Sequence, residues 1–284
     1  MSIDQLSVPV NRIIPFSAVD GPGNRTAVFL QGCNIDCKYC HNPETRALCI
    51  HCGACVSKCP TGALTMREGK VVFDPEKCAA CDTCIHICKH DASPRIRWMN
   101  ADEVIEEIRK QVPFIRGVTV SGGECMLYPG FLTELFQRCK ELGLTTLIDS
   151  NGMVDFRAYP ELLAVTDGVM LDIKAYSEED HIRVTGSKNS SVLENAVFLA
   201  KAGKLYEIRT VIVRELFDPE EVIKSIADYL RPYLDISKLR YKLIAFRPFG
   251  VREQYQMYES PDASYMQELH KAAIQAGFQD IIII

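Results

Sequence analysis

Eleven of the thirteen cysteines stand in three short runs. Cys33, Cys37 and Cys40 form a C-x3-C-x2-C triplet, while Cys49, Cys52, Cys55, Cys59 and Cys78, Cys81, Cys84, Cys88 each follow C-x2-C-x2-C-x3-C. Thiolates at the second spacing ligate cubane iron–sulfur clusters, four to a cluster. A set of three leaves one iron without a protein ligand, and an open coordination position is where chemistry can occur. The competing reading of the triplet is zinc, which when structural takes four protein ligands, often from paired C-x2-C hairpins. No fourth cysteine lies close to the triplet in sequence, so the pattern points to one reactive cluster fed by two electron-carrying ones. The amino and carboxylate groups of S-adenosylmethionine (SAM) are a bidentate set suited to the open iron.

In two-cluster proteins of the C-x2-C-x2-C-x3-C type, the fourth cysteine of each run crosses to the other cluster. One cluster is then expected on Cys49, Cys52, Cys55 and Cys88, and the other on Cys59, Cys78, Cys81 and Cys84. Pro60 follows Cys59 as that pattern requires, whereas Lys89 replaces the proline after Cys88. Both runs lead into small-residue turns, with a short strand at Lys70–Phe73 between them, so residues 47–97 read as an internal repeat of bacterial ferredoxin type. A core this small is marginal alone and would depend on its clusters.

The remaining residues, 1–46 and 98–284, must position the triplet. Apolar, β-branched runs occur at residues 26–30, 118–121, 145–149, 168–173, 208–213 and 241–246, with helical periodicity at 101–111, 131–142, 192–202 and 220–230 between them. Asn100 is the expected N-cap of the first helix, with Glu103 completing a capping box. Ile281–Ile284 reads as a final buried strand, Cys139 as core and Trp98 as packing. Strands alternating with helices give parallel βα units, either doubly wound or a partial barrel, with function at the C-terminal strand ends. Each of the first four strands does end in polar or metal-binding residues: Gln31-Gly32-Cys33, Ser121-Gly122-Gly123-Glu124, Asp149-Ser150-Asn151-Gly152 and Asp172-Ile173-Lys174.

Several of these groups have two readings each. Gly122-Gly123-Glu124 is a plain turn or a bare backbone loop with a carboxylate for the ligand's amino group. Asp172 and Lys174 are a strand-end ion pair or, sharing one strand face, part of the site. Arg209 in an apolar strand needs a buried carboxylate or a ligand carboxylate. Cys125 is a small buried residue or a functional thiol. His41 directly follows Cys40 and is either part of the site or incidental to it.

Composition narrows the classes. The hydrophobic fraction of 47% supports a packed core. A net charge of -5 without a dense basic stripe argues against nucleic acid as a partner. No stretch approaches the ~18 consecutive apolar residues of a membrane span, and residues 1–16 lack a signal-type apolar run. A cytoplasmic location is expected, where thiols stay reduced and clustered cysteines are metal ligands.

The triplet, with aromatic Tyr39 before its last cysteine, resembles the cluster motif of the radical SAM superfamily. The stretch from Asp20-Gly21-Pro22-Gly23-Asn24-Arg25 to Cys40-His41-Asn42-Pro43 is similar to the activating enzymes of glycyl radical enzymes, the pyruvate formate-lyase activating enzyme family. The eight-cysteine insert resembles that of the larger activases. Ser150 and the segment Phe246–Arg252 are most similar to the YjjW-type ones. The resemblance implies a partial (β/α)6 barrel and a SAM-chelating cluster on Cys33, Cys37 and Cys40. It also implies one-electron cleavage of SAM to methionine and a 5′-deoxyadenosyl radical, which takes hydrogen from a backbone glycine of a partner enzyme.

By the same resemblance, Gly122, Gly123 and Glu124 hold the SAM amino group and Lys174 and Arg209 its carboxylate, with Tyr39 and Asp172 also at the SAM site. Asp149, Met170 and Asp172 match a monovalent-cation site, and Asp20 lies in the loop that meets the partner's peptide. Arg247 stands where many members have a histidine contacting SAM. A flavodoxin or ferredoxin reductant and a monomer are implied. Two other functions remain in view: a radical SAM enzyme for a small molecule or nucleic acid, and a pure electron-transfer protein.

Overall fold

A computed structural model describes residues 6–284; the expectations for the first five residues lie outside the described part. The strands are β1 (Val8–Ser17), β2 (Arg25–Leu30), β3 (Leu64–Arg67), β4 (Lys70–Phe73), β5 (Arg97–Met99), β6 (Gly117–Gly122), β7 (Thr145–Ser150), β8 (Gly168–Asp172), β9 (Leu205–Ile212), β10 (Arg240–Ala245) and β11 (Asp280–Ile283). The helices are α1 (Thr83–His86), α2 (Ala101–Arg109), α3 (Pro129–Glu141), α4 (Pro160–Ala164), α5 (Glu178–Thr185), α6 (Ser190–Lys201), α7 (Pro219–Leu230) and α8 (Ala263–Ala276).

Nine strands form one sheet in the order β11-β10-β9-β8-β7-β6-β2-β1-β5. From β2 to β11 every neighbouring pair is parallel; β1 runs antiparallel to both β2 and β5. Parallel strands covered on both faces become continuous apolar runs, and β6 and β8 are buried along most of their length. One apolar cluster packs α2 and α3 against β2, β6 and β7, and a second packs α6, α7 and α8 against β8, β9 and β10. Helix α2 shows the local logic. Asn100 and Glu103 form the reciprocal capping box, and Val104, Ile105 and Ile108 are buried on one face, each stabilising by roughly 1.5–3 kcal/mol.

Strand β1 escapes sequence reading because Pro9, Pro15 and two bulges break its alternation. Helices α5 and α8 were also not foreseen, although each carries end signals: Ser177 and Asp262 accept the N-terminal N–H bonds, and Gly186 and Gly277 adopt the left-handed cap. Two packing expectations are corrected. Trp98 lies on the short edge strand β5 and is 58% exposed. The last strand is also an edge, so its isoleucines are half-buried.

Between β2 and β5 the chain leaves the sheet. Strands β3 and β4 pair as a separate antiparallel ribbon, and the small core beside them comprises Cys55, Leu64, Val71 and Cys84. A parallel bridge between Ala47 and Ala92 brings the two ends of this excursion together.

Candidate active site at the cysteine triplet

The triplet loop follows β2 and is pinned on several sides. Gln31, fully buried, donates to the carbonyls of Glu44 and Ala47 (2.6 Å each) and accepts from Asn11 (2.7 Å). The Gly32 and Cys33 amides donate to the Thr45 and Arg46 carbonyls. On another side stands the end of α5, whose last carbonyls have no partner within the helix. Thr185 and Val184 accept there from the amides of Asp36 and Lys38 at 3.0 and 2.9 Å. A helix end thus holds the triplet loop, which no local sequence signal reveals.

The Gly122-Gly123-Glu124 segment closes on the same loop. Gly123 and Glu124 donate to the carbonyls of Leu30 (3.0 Å) and Gly32 (2.7 Å). A Cβ on Gly123 would lie 2.1 Å from the Gly32 oxygen, and one on Gly122, whose φ is +128°, 2.2 Å from that of Leu30. Both glycines are therefore needed for backbone approach. The Glu124 carboxylate is buried and accepts from the Met126 and Asn151 amides and the Ser150 hydroxyl at 2.7–2.9 Å. Burial nonetheless raises its pKa to about 7. Its side chain braces the strand ends. Asn151 continues the brace to Asn34 (2.8 Å) and the Cys33 sulfur (3.8 Å).

Cys33, Cys37 and Cys40 line one recess together with Gly122, Gly123, Thr45, Arg46 and Arg252. Burial pushes the Cys33 thiol up to about 11 and the Cys37 thiol up to about 12, while the Lys174 charge pulls both down. Half-buried thiols of this kind become thiolates when a cation demands it. The donor set therefore fits an iron–sulfur cluster. Lys174 pairs with Asp172 at 2.8 Å and lies over the Tyr39 ring at 5.9 Å. Tyr39 is buried and its hydroxyl has no partner. His41 does lie beside the site. Its Nε2 meets the Arg247 carbonyl at 3.0 Å, fastening the loop after β10; the Arg247 side chain is exposed.

The sheet register then stacks charges on the inner face. Asp149 is level with Met170, Met170 with Glu207, and Asp172 with Arg209, which is level with Lys242. Arg209 resolves its two readings through carboxylates of the chain itself. Its Nε donates to Glu207 (2.5 Å), Nη1 to Asp149 (2.9 Å) and Nη2 to the Met170 sulfur (2.8 Å). Of five guanidinium N–H groups, about two remain for a ligand. Lys242 meets Glu207 at 3.3 Å and the Val19 carbonyl at 3.4 Å. Asp149, Asp172 and Glu207 are thereby matched by Arg209, Lys174 and Lys242.

At the expected monovalent-cation position, Asp149, Met170 and Asp172 all have partners within the chain. Arg209 lies between Asp149 and Met170, and Lys174 is on Asp172.

Asp20 sits in the β1–β2 loop, accepting from Ser17 at 2.5 Å, with its carbonyl accepting from Thr119 on the inner face. Arg25, missed in the sequence, is fully buried without a carboxylate partner. It donates to Thr119 (2.8 Å), the Val118 carbonyl (2.8 Å) and Thr145 (2.9 Å), which fixes this loop to the sheet. Cys125 and Cys139 are fully buried. In the excursion, one cavity is lined by Cys49, Cys52, Cys55, Cys84 and Cys88, and a second by Cys59, Cys78, Cys81 and, again, Cys84. No described helix is long and apolar enough to cross a membrane.

A family model described as the radical SAM superfamily matches residues 27–231. The chain is 30% identical to the choline trimethylamine-lyase activating enzyme of Oleidesulfovibrio alaskensis, over 85% of this chain and 84% of that one. It is also 30% identical to the 4-hydroxyphenylacetate decarboxylase activating enzyme of Clostridioides difficile, over 97% and 94%. A solved domain of pyruvate-formate lyase-activating enzyme from Bacteroides vulgatus shares the fold with a TM-score of 0.50 at 21% identity, covering 59% of this chain and 98% of that one. With its triplet on the rim of a mostly parallel sheet, the chain belongs to the radical SAM superfamily, among the glycyl-radical enzyme activating enzymes.

Proposed function

We propose that this protein binds SAM at a [4Fe–4S] cluster held by Cys33, Cys37 and Cys40 and installs a glycyl radical on a partner glycyl radical enzyme. The observation that carries the reading is the recess itself. Three half-buried thiols converge there with the bare Gly122–Gly123 backbone, at the strand ends of a chain similar along nearly its whole length to activating enzymes. When bound, the cluster and SAM supply one-electron cleavage and the 5′-deoxyadenosyl radical. The chain's own residues bind, orient and exclude water. Backbone groups of Gly122 and Gly123 serve the SAM amino group, with Glu124 bracing them. Lys174 and the two spare N–H groups of Arg209 serve its carboxylate, and Tyr39 and Asp172 border the site. The Asp20 loop receives the partner's peptide. Arg247, exposed beside His41, is within the same rim and is assigned to SAM or to the partner.

The domain reading is a partial (β/α)6 barrel, residues 1–46 and 98–284, with a ferredoxin-like insert at 47–97. The insert carries two further [4Fe–4S] clusters, on Cys49/Cys52/Cys55/Cys88 and Cys59/Cys78/Cys81/Cys84. The two cavities support those sets. A monomer in the cytoplasm, reduced by flavodoxin or ferredoxin, completes the proposal.

The test is anaerobic. Reconstituted protein with dithionite and SAM should release 5′-deoxyadenosine, and the Cys33→Ala/Cys37→Ala/Cys40→Ala variant should not. Adding a co-encoded glycyl radical enzyme should give a glycyl radical by electron paramagnetic resonance (EPR). Cleavage of SAM that never yields that radical, coupled instead to turnover of a small molecule, would refute the activase reading.

A further inference from the structure

Arg252 closes the loop after β10, and its guanidinium ties three segments together. Nη2 meets Asp36 at 2.6 Å and donates to the Cys37 carbonyl at 2.9 Å, both in the triplet loop. Nη1 reaches Asp91 of the excursion at 3.4 Å, and Arg46 grips the same carboxylate at 2.7 Å. The side chain is 12% exposed and lines the recess with the three cysteines. Its Nε is buried and has no partner among the described residues. A buried N–H on a cation left unpaired is costly, and native structures complete such groups.

We propose that Arg252 is a positioning residue for the cluster on Cys33, Cys37 and Cys40, directing its charge and free Nε–H toward the cluster's sulfurs and making its reduction easier. Hydrogen bonds and charge near the sulfurs set cluster potentials. Reduction by one electron from an external reductant makes the cluster more negative, and a fixed cation beside it stabilises that state more than the oxidised one. Asp36 and Asp91 hold the guanidinium in place and offset part of its charge. Through Asp91, the same contact joins the reactive cluster to the excursion. None of the site roles above uses this residue.

The inference rests on the cluster reading of the triplet, and the test separates the two. EPR-monitored redox titration of the reconstituted protein, with and without SAM, isolates the component that responds to SAM. If wild type shows no such component, the cluster reading fails and not this one. With it present, Arg252→Gln should be about tenfold less reduced at a fixed potential, a midpoint about 59 mV lower. Arg252→Lys should recover part of that shift, and Asp91→Asn should move it upward. An unchanged midpoint in Arg252→Gln with full iron content overturns the proposal. If that variant does not take up the cluster, Asp91→Asn decides, and an unchanged or lowered midpoint there overturns it.

Discussion

Replacing Gly123 by alanine separates a backbone requirement from ordinary packing. The new Cβ would stand 2.1 Å from the Gly32 oxygen, 2.6 Å from its carbon and 2.8 Å from the Thr45 oxygen, all backbone atoms. Reaching even a tight contact near 3.0 Å requires the triplet loop to retreat by about 1 Å. Overpacking of this kind costs about 1–3 kcal/mol. Retreat also weakens the Glu124–Gly32 and Gly32–Thr45 bonds, 2.7 and 2.8 Å long, at roughly 1 kcal/mol each. The total, about 3–5 kcal/mol, biases the loop against its competent position by roughly 150-fold to several thousand-fold. The excursion touches none of these atoms. Gly123→Ala should therefore lose the triplet's cluster and keep the other two, seen as iron and sulfide falling by a third, with 5′-deoxyadenosine formation abolished. Gly130→Ala is the control. Its Cβ would meet only Leu6 Cδ2, at an ordinary 3.5 Å, in the first turn of α3, so iron and activity should stay at wild-type levels. Full iron and normal SAM cleavage in Gly123→Ala would refute the steric reasoning.

Three further outcomes follow from the same structure. Glu207→Gln should destabilise the protein by about 3–5 kcal/mol in urea unfolding, because Arg209 and Lys242 would keep buried charge with less compensation; adding Lys242→Met should cost less than the two single changes summed. Asn100→Ala removes half of the α2 capping box and should cost about 1 kcal/mol, read as a lower melting temperature with unchanged iron content. His181 is buried with Nδ1 on the Ser187 carbonyl at 2.7 Å, and burial lowers its pKa from 6.5. As pH falls through about 6.5 the unfolded chain takes up a proton before the folded one, so stability should drop below that pH. His181→Gln should flatten the profile, and an identical slope in the variant would count against this assignment.

The chemistry and most of the frame were legible residue by residue. Cysteine spacing is local, and it named three sets of ligands. The βα alternation is also local, so six parallel strands, their helices and the Asn100 box could be read directly, as could the polar groups at strand ends. Other elements were masked. Pro9, Pro15 and two bulges hid β1, and α5 has too few apolar residues to show a helical period, although Ser177 and Gly186 mark its ends.

The partners of these groups came from the folded arrangement. Arg209 could meet a ligand or a carboxylate, and the register of β7, β8 and β9 brings Asp149, Met170 and Glu207 to it. Gly122 and Gly123 read as a plain turn or a bare backbone loop, and it is the proximity of Leu30 in β2 and of Gly32 just after it that excludes any side chain there. Arg252, more than two hundred residues from Cys37 in sequence, ends a segment noted only for its resemblance; its place beside the triplet comes from β10 ending on the same rim as β2. Ligand type follows from side-chain chemistry, which is written residue by residue. Charge compensation and steric exclusion depend on which strands become neighbours, and that is settled only when the sheet closes on its order.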